Sequence, residues 1–200
     1  MDLKDLDTDW IKYIGKDPIM LGEIVQAWEK DDIAAILVFL GNDFGIPFVF
    51  LHRGPLRMAG LFEKGLLDAY QSVRVNTRHF YDMMTMMFQF ADADKMRAAG
   101  SSIPDQESFT LYRGVAGRGR ARRVNGFSWT VCPHMAAWFA MRFSLEDPAV
   151  FQINVPKDQI MARLLERGEK EYLLRLPLPS KPKRLKPMPE PQKRRPDFRI

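Results

Sequence analysis

Three polar positions stand on otherwise apolar stretches of this chain, and their residue types are those that handle anions and sugar hydroxyls. Arg113 lies in Leu111-Tyr112-Arg113-Gly114, where strand alternation puts Phe109, Leu111 and Arg113 on one face. A guanidinium there needs an anion, either a carboxylate in a structural salt bridge or a bound ligand. Ser128 and Thr130, in Phe127-Ser128-Trp129-Thr130-Val131, turn both hydroxyls to one face and the apolar residues to the other. Two such hydroxyls can orient a ligand or a carboxylate, although Ser-x-Thr on a strand is also common without function. Glu169 and Glu171, in Arg167-Gly168-Glu169-Lys170-Glu171-Tyr172, are expected on one strand face, roughly 6 to 7 Å apart at the backbone. Paired carboxylates entering a core repel unless a site uses them; a solvated strand start is the other reading.

In order and spacing these positions resemble the arginine-serine-glutamate clan of ADP-ribosyltransferases. The likeness rests on an Arg-Gly on a first strand, an aromatic-Ser-x-Thr followed by a helix carrying Ala136-Ala137-Trp138-Phe139-Ala140, and a late Glu-x-Glu, and it covers residues 108 to 176. Fifteen residues separate Arg113 from Ser128 and 43 separate Ser128 from Glu171. Trp129 stands where the best-known toxins of that family have Thr or Ser. The resemblance implies an α+β fold, an ADP-ribosyltransferase-like split β-sandwich, and transfer of ADP-ribose from NAD to a macromolecular acceptor with release of nicotinamide and no metal. Under it, Arg113 holds the diphosphate, Gly114 lets the nicotinamide amide approach the backbone, and Thr130 completes the cofactor-binding face. Ser128 orients the catalytic carboxylate and supports the nicotinamide ribose. Glu171 accepts a hydrogen bond from the ribose 2′-hydroxyl and stabilises the oxocarbenium-like transition state, and Glu169 positions or deprotonates the acceptor. Glu at that place tends to accompany arginine acceptors in the family, which favours a protein arginine.

A second basic feature follows the Arg113 strand directly. Gly117-Arg118-Gly119-Arg120-Ala121-Arg122-Arg123 holds four arginines in seven residues, either a grip on phosphates or a solvated hairpin loop. It keeps nucleic acid open as the alternative acceptor. The stretch from Met161 to Gly168 is expected, from the resemblance, to be a loop that meets the target, with Arg163 and Arg167 as contact candidates. His134 and Cys132 neighbour the Ser-x-Thr element and read as a helix-start histidine and a small packed residue.

The elements that must position these groups fall into two textures. Residues 1 to 100 read as a mostly helical region packed on the catalytic core, with apolar positions at three- and four-residue intervals through Ile19, Leu21, Ile24, Val25 and Trp28 and through Phe62, Leu66, Leu67 and Tyr70. The Met83, Met84, Met86 and Met87 stripe is expected in the core. Residues 33 to 51 are ambiguous between a buried helix and strands, with a turn signal at 41 to 47. Residues 101 to 176 form the catalytic core, with strands expected over 108 to 115, 125 to 131, 149 to 155 and 170 to 176 and a helix from Pro133 to Phe143.

The remaining 24 residues carry seven of the fourteen prolines and eight basic residues against two acidic ones. The first 176 residues thus hold 22 basic against 23 acidic residues, so the overall +5 is a property of the tail. That tail is either an extended solvated arm attracted to phosphates or a strap lying along the body.

Composition narrows the class further. At 46% hydrophobic and 28% charged the chain excludes fibrous and wholly disordered classes. It has no apolar run of 18 residues, and its acidic start lacks the basic region of a secretory signal, so a cytoplasmic protein is expected. One cysteine and three scattered histidines offer neither an internal disulfide nor a metal site. The leading expectation is a bacterial or phage-type transferase acting as a toxin or effector, with the helical region as a docking module, a second face for the site or a surface for a neutralising partner. NAD glycohydrolysis and basic-tailed nucleic-acid binding without catalysis are the alternatives.

Overall fold

The computed structural model describes residues 1–72, 80–119, 122–165 and 168–192, and contacts divide the chain into two compact units, Met1–Ala99 and Gly100–Ile200. The first is helical: α1 (Thr8–Tyr13), α2 (Pro18–Glu29), α3 (Ile33–Leu40), α4 (Gly45–Leu51), α5 (Arg53–Met58), α6 (Phe62–Ser72), α7 (Tyr81–Phe90) and α8 (Ala93–Ala99). Four starts are set by aspartates whose carboxylates accept an N–H three residues on, and at α8 this is Asp92 with the Lys95 N–H at 3.0 Å. Asp7 takes that of Trp10 at 2.8 Å, Asp17 that of Met20 at 2.8 Å and Asp32 that of Ala35 at 3.0 Å. The ambiguous stretch 33 to 51 resolves into α3 and α4, broken where Gly41 adopts φ +77°, a conformation that favours glycine.

Trp28 and Phe48 are fully buried at the centre of this unit, their rings edge to face with centroids 6.0 Å apart. His52 stacks on Phe48, donates from Nδ1 to the Phe48 carbonyl at 2.9 Å and accepts the Asp7 N–H on Nε2 at 2.9 Å. Both ring nitrogens are thereby used in the neutral form, and burial holds the imidazole below its ordinary pKa. Of the methionine stripe, Met84 and Met87 are buried with Phe88, while Met86 is exposed.

The second unit makes the molecule α+β. Six described strands join in one antiparallel sheet: β1 (Ser108–Val115), β2 (Ser128–Thr130), β3 (Ala149–Pro156), β4 (Ile160–Leu164), β5 (Glu171–Leu174) and β6 (Lys183–Arg184), in the order β4-β5-β2-β1-β3-β6. Hydrogen bonding links them continuously, where the resemblance implies a sandwich split between two sheets. One face buries Phe109, Leu111, Trp129, Ile153, Tyr172 and Leu174. Against the other lies α9 (Pro133–Met141), whose Ala136 and Ala137 pack with Val150.

One expectation needs correction here, and one open alternative is decided. Residues 161 to 164 are not a target-facing loop but most of β4, since Ile160, Met161, Ala162 and Leu164 are buried and pair this strand with β5. Of the two readings of the tail, residues 177 to 192 follow the strap along the body. Lys183 and Arg184 pair with β3, the Leu185 N–H bonds the Val150 carbonyl at 2.9 Å, and Leu185 and Met188 pack beside Ala136 and Ala137. Proline removes donors but not apolar contacts, so a proline-rich segment can still strap a surface. Residues 193 to 200 lie outside the described residues.

Candidate active site

Register on the sheet brings the serine and the second glutamate together. β2 and β5 run antiparallel with Thr130 opposite Glu171 and Ser128 opposite Leu173, so Ser128 and Glu171 are diagonal neighbours on one face. The Ser128 hydroxyl donates to Glu171 Oε1. Glu171 is buried, 7% exposed, and a carboxylate so placed depends on such donors.

Thr130 shares this face but is committed to main chain. Its hydroxyl donates to the Glu169 carbonyl at 2.8 Å and accepts the Cys132 N–H at 3.2 Å. It fastens the end of β2 to the turn before β5.

Arg113 reaches the same neighbourhood from β1. Its Nε donates to the Arg123 carbonyl at 3.0 Å and its Nη1 to the Ser128 carbonyl. In this geometry the guanidinium holds the backbone that presents Ser128, and the fork spans the 15 residues between the two motifs. Gly126 makes room for it, because a Cβ there would stand 2.5 Å from the guanidinium carbon. Sequence reading missed Gly126, placing it inside a strand over 125 to 131; β2 spans only Ser128–Thr130. The Asn125-Gly126 dipeptide was the turn signal that could have identified it.

Gly114 has a packing reason to be glycine. A Cβ at this position would lie 1.7 Å from the Ala136 carbonyl oxygen and 2.7 Å from the Ala140 nitrogen, so the α9 backbone fills the space that was expected to admit a nicotinamide amide.

Glu169 does not share a strand face with Glu171. β5 begins at Glu171, Gly168 and Lys170 have φ of +67° and +46°, and the left-handed turn on either side of Glu169 breaks the two-residue alternation. Glu169 is nonetheless buried, 9% exposed, in the turn that Thr130 braces.

The arginine candidates separate. Arg163, on β4, sits opposite Tyr172, donates from Nη1 to the Ser102 carbonyl at 2.6 Å and lies 5.8 Å over the Tyr172 ring. It braces the sheet and is not on a substrate loop. Arg118 pairs with Glu146 at 2.8 Å, and Arg122 donates to the Asp147 carboxylate and carbonyl. Arg123 supplies the carbonyl that Arg113 holds. Arg120 and Arg167 lie outside the described residues.

His134, in the first turn of α9, bonds through Nδ1 to the Glu190 carbonyl at 2.8 Å, and its own carbonyl accepts the Gln192 N–H at 3.1 Å. The tail therefore ends its described course beside the Cys132 end of the site.

Among the described residues no group of three His, Cys, Asp or Glu is placed to hold a metal ion, and no helix is long and apolar enough to cross a membrane. In comparison with known proteins, no family model, no curated protein and no solved structure matches the chain.

Proposed function

We propose that this chain is a mono-ADP-ribosyltransferase with an ADP-ribosyltransferase-like catalytic unit, moving ADP-ribose from NAD to a macromolecular acceptor. One observation carries the reading: the Ser128 hydroxyl donates to the buried Glu171 carboxylate across paired strands, while Arg113 holds the Ser128 carbonyl. Three residues singled out from widely separated motifs thus meet in one hydrogen-bonded chain.

The chemistry demanded of such a group is limited. Breaking the bond between the nicotinamide nitrogen and ribose C1′ sends the electron pair out with nicotinamide and leaves positive charge on the sugar. A carboxylate fixed in a dry site stabilises that charge better than one in water, because it is already oriented and weakly screened. Glu171 supplies it, and Ser128 fixes which way its oxygens face. A nucleophile on the acceptor then bonds to C1′ and gives up its proton, for which Glu169 in the neighbouring turn is the candidate base.

The test uses NAD labelled in the ADP moiety, with wild-type protein and a Glu171→Gln variant added to a bacterial lysate split into protein and nucleic-acid fractions. The reading expects label on one macromolecular fraction with matching nicotinamide release, both lost with Glu171→Gln. Nicotinamide release without transferred label would instead establish a glycohydrolase. Wild-type protein that does neither overturns the reading.

A further inference from the structure

The connection from α9 to β3 gathers two basic segments and an aromatic platform that are far apart in the chain. At its start Phe143 is 59% exposed, with the Arg142 guanidinium 4.4 Å over its ring. Next, Glu146 accepts the Gly117 N–H on its carbonyl at 2.6 Å and pairs with Arg118 through its carboxylate. Then Asp147 takes Arg122 from the arginine loop and Arg184 from β6, the latter at 2.8 Å, and the two arginines hold its carboxyl below the usual range, Arg184 foremost. The loop and the tail are therefore one surface, which the sequence does not show.

Arg118, Arg142, Arg184 and the exposed Lys183 on the edge strand outnumber Glu146 and Asp147, so the surface is cationic, and its acids act to hold arginine forks in place, that of the largely covered Arg122 among them. Cations that meet phosphates beside an exposed ring with a guanidinium over it are the two requirements for a strand whose bases are unpaired. A duplex keeps its bases stacked inside and cannot use Phe143; an acidic polypeptide uses the charges but not the ring.

We propose that this surface, from Phe143 to Arg184, binds single-stranded nucleic acid, with the arginines on phosphates and Phe143 stacked against a base. Binding here needs neither NAD nor Glu171, so it stands apart from the transferase reading. It also has a route to the site: Arg122 is tied to this surface through Asp147, and the next residue, Arg123, carries the carbonyl that Arg113 grips.

The experiment is fluorescence anisotropy with a labelled oligothymidylate of about 12 nucleotides, titrated with the full chain between about 50 and 200 mM salt. The expected result is affinity that falls steeply with salt, with a slope reduced by about 1.4 in the Lys183→Gln/Arg184→Gln double variant. Phe143→Ala should weaken binding about tenfold with the slope unchanged, and Phe143→Trp should restore it. Circular dichroism of the Phe143 variants verifies folding, and Glu171→Gln should bind as wild type. Equal affinity for the matching duplex or for polyglutamate, indifference to Phe143→Ala, or no binding at the lowest salt overturns the proposal.

Discussion

In the helical unit the buried carboxylate of Glu63 accepts the Asp92 N–H at 3.0 Å, whereas in the sheet unit the buried carboxylate of Glu171 accepts the hydroxyl of Ser128. The first bond completes a helix start. Asp92 in turn accepts the N–H groups of Asp94 and Lys95 at the head of α8, so Glu63 serves the backbone requirement that every helix brings. The second completes no ladder, since Ser128 and Glu171 already lie on hydrogen-bonded strands. His52 belongs with Glu63, both its nitrogens being spent on backbone groups. What distinguishes a candidate site here is thus not a buried polar group as such, but one paired with another side chain where folding does not ask for it.

Breaking the two carboxylates in parallel sharpens that contrast most. Glu171→Gln should cost on the order of 10²- to 10³-fold in nicotinamide release while the fold survives. Glu63→Ala should cost about 1 to 3 kcal/mol of stability by orphaning the Asp92 N–H, with turnover per folded molecule unchanged. Urea titration and initial rates on both variants decide it, and wild-type turnover in Glu171→Gln would erase the distinction.

Next in size, Gly114→Ala should destabilise the sheet unit by about 3 kcal/mol, because the added carbon meets the α9 backbone, which cannot rotate away as a side chain can. A urea midpoint equal to wild type would refute the packing role. Gly126→Ala tests the site within the same unit. The added carbon displaces the Arg113 guanidinium, a movable group, so the fold should hold while activity drops on the order of tenfold to a hundredfold. An intact rate would mean that Arg113 is not needed to present Ser128.

The smallest effect belongs to the helical unit. With its folded pKa below the ordinary 6.5, through desolvation that outweighs the Phe48 bond and the Asp7 charge, His52 stays neutral where the unfolded chain already binds a proton. Stability should therefore fall as pH drops through about 6.5 and level off below the folded value. Chemical denaturation between about pH 7.5 and 5.5 measures this slope, and His52→Gln should flatten it. A slope unchanged in that variant would assign the titration elsewhere.

Much of this was legible in local pattern. β1 is read over the residues it occupies because its turns and alternation are local, and α9 begins at Pro133, where a proline suits a first helical position. Less legible was anything decided by a neighbour. β4 escaped notice because Ile160, Met161 and Ala162 are apolar in succession, without the alternation of a half-buried strand. Glu169 was misplaced because a positive φ at Lys170 leaves no strong mark in the sequence. Asp147 carries no signal at all, since its partners Arg122 and Arg184 are 25 and 37 residues away.

By itself, then, the sequence determined which residue types stand at 113, 128 and 171 and which stretches become helix or strand. Those follow from side-chain chemistry and from periods of two and 3.6 residues, each fixed within a few positions. Only the tertiary structure decided that the Ser128 hydroxyl meets Glu171, that α9 requires a glycine at 114, and that the proline-rich tail joins the sheet beside the arginine loop. Those outcomes depend on strand register and on close approach between segments distant in the chain, where a shift of one residue reverses the face and a single carbon closes the gap.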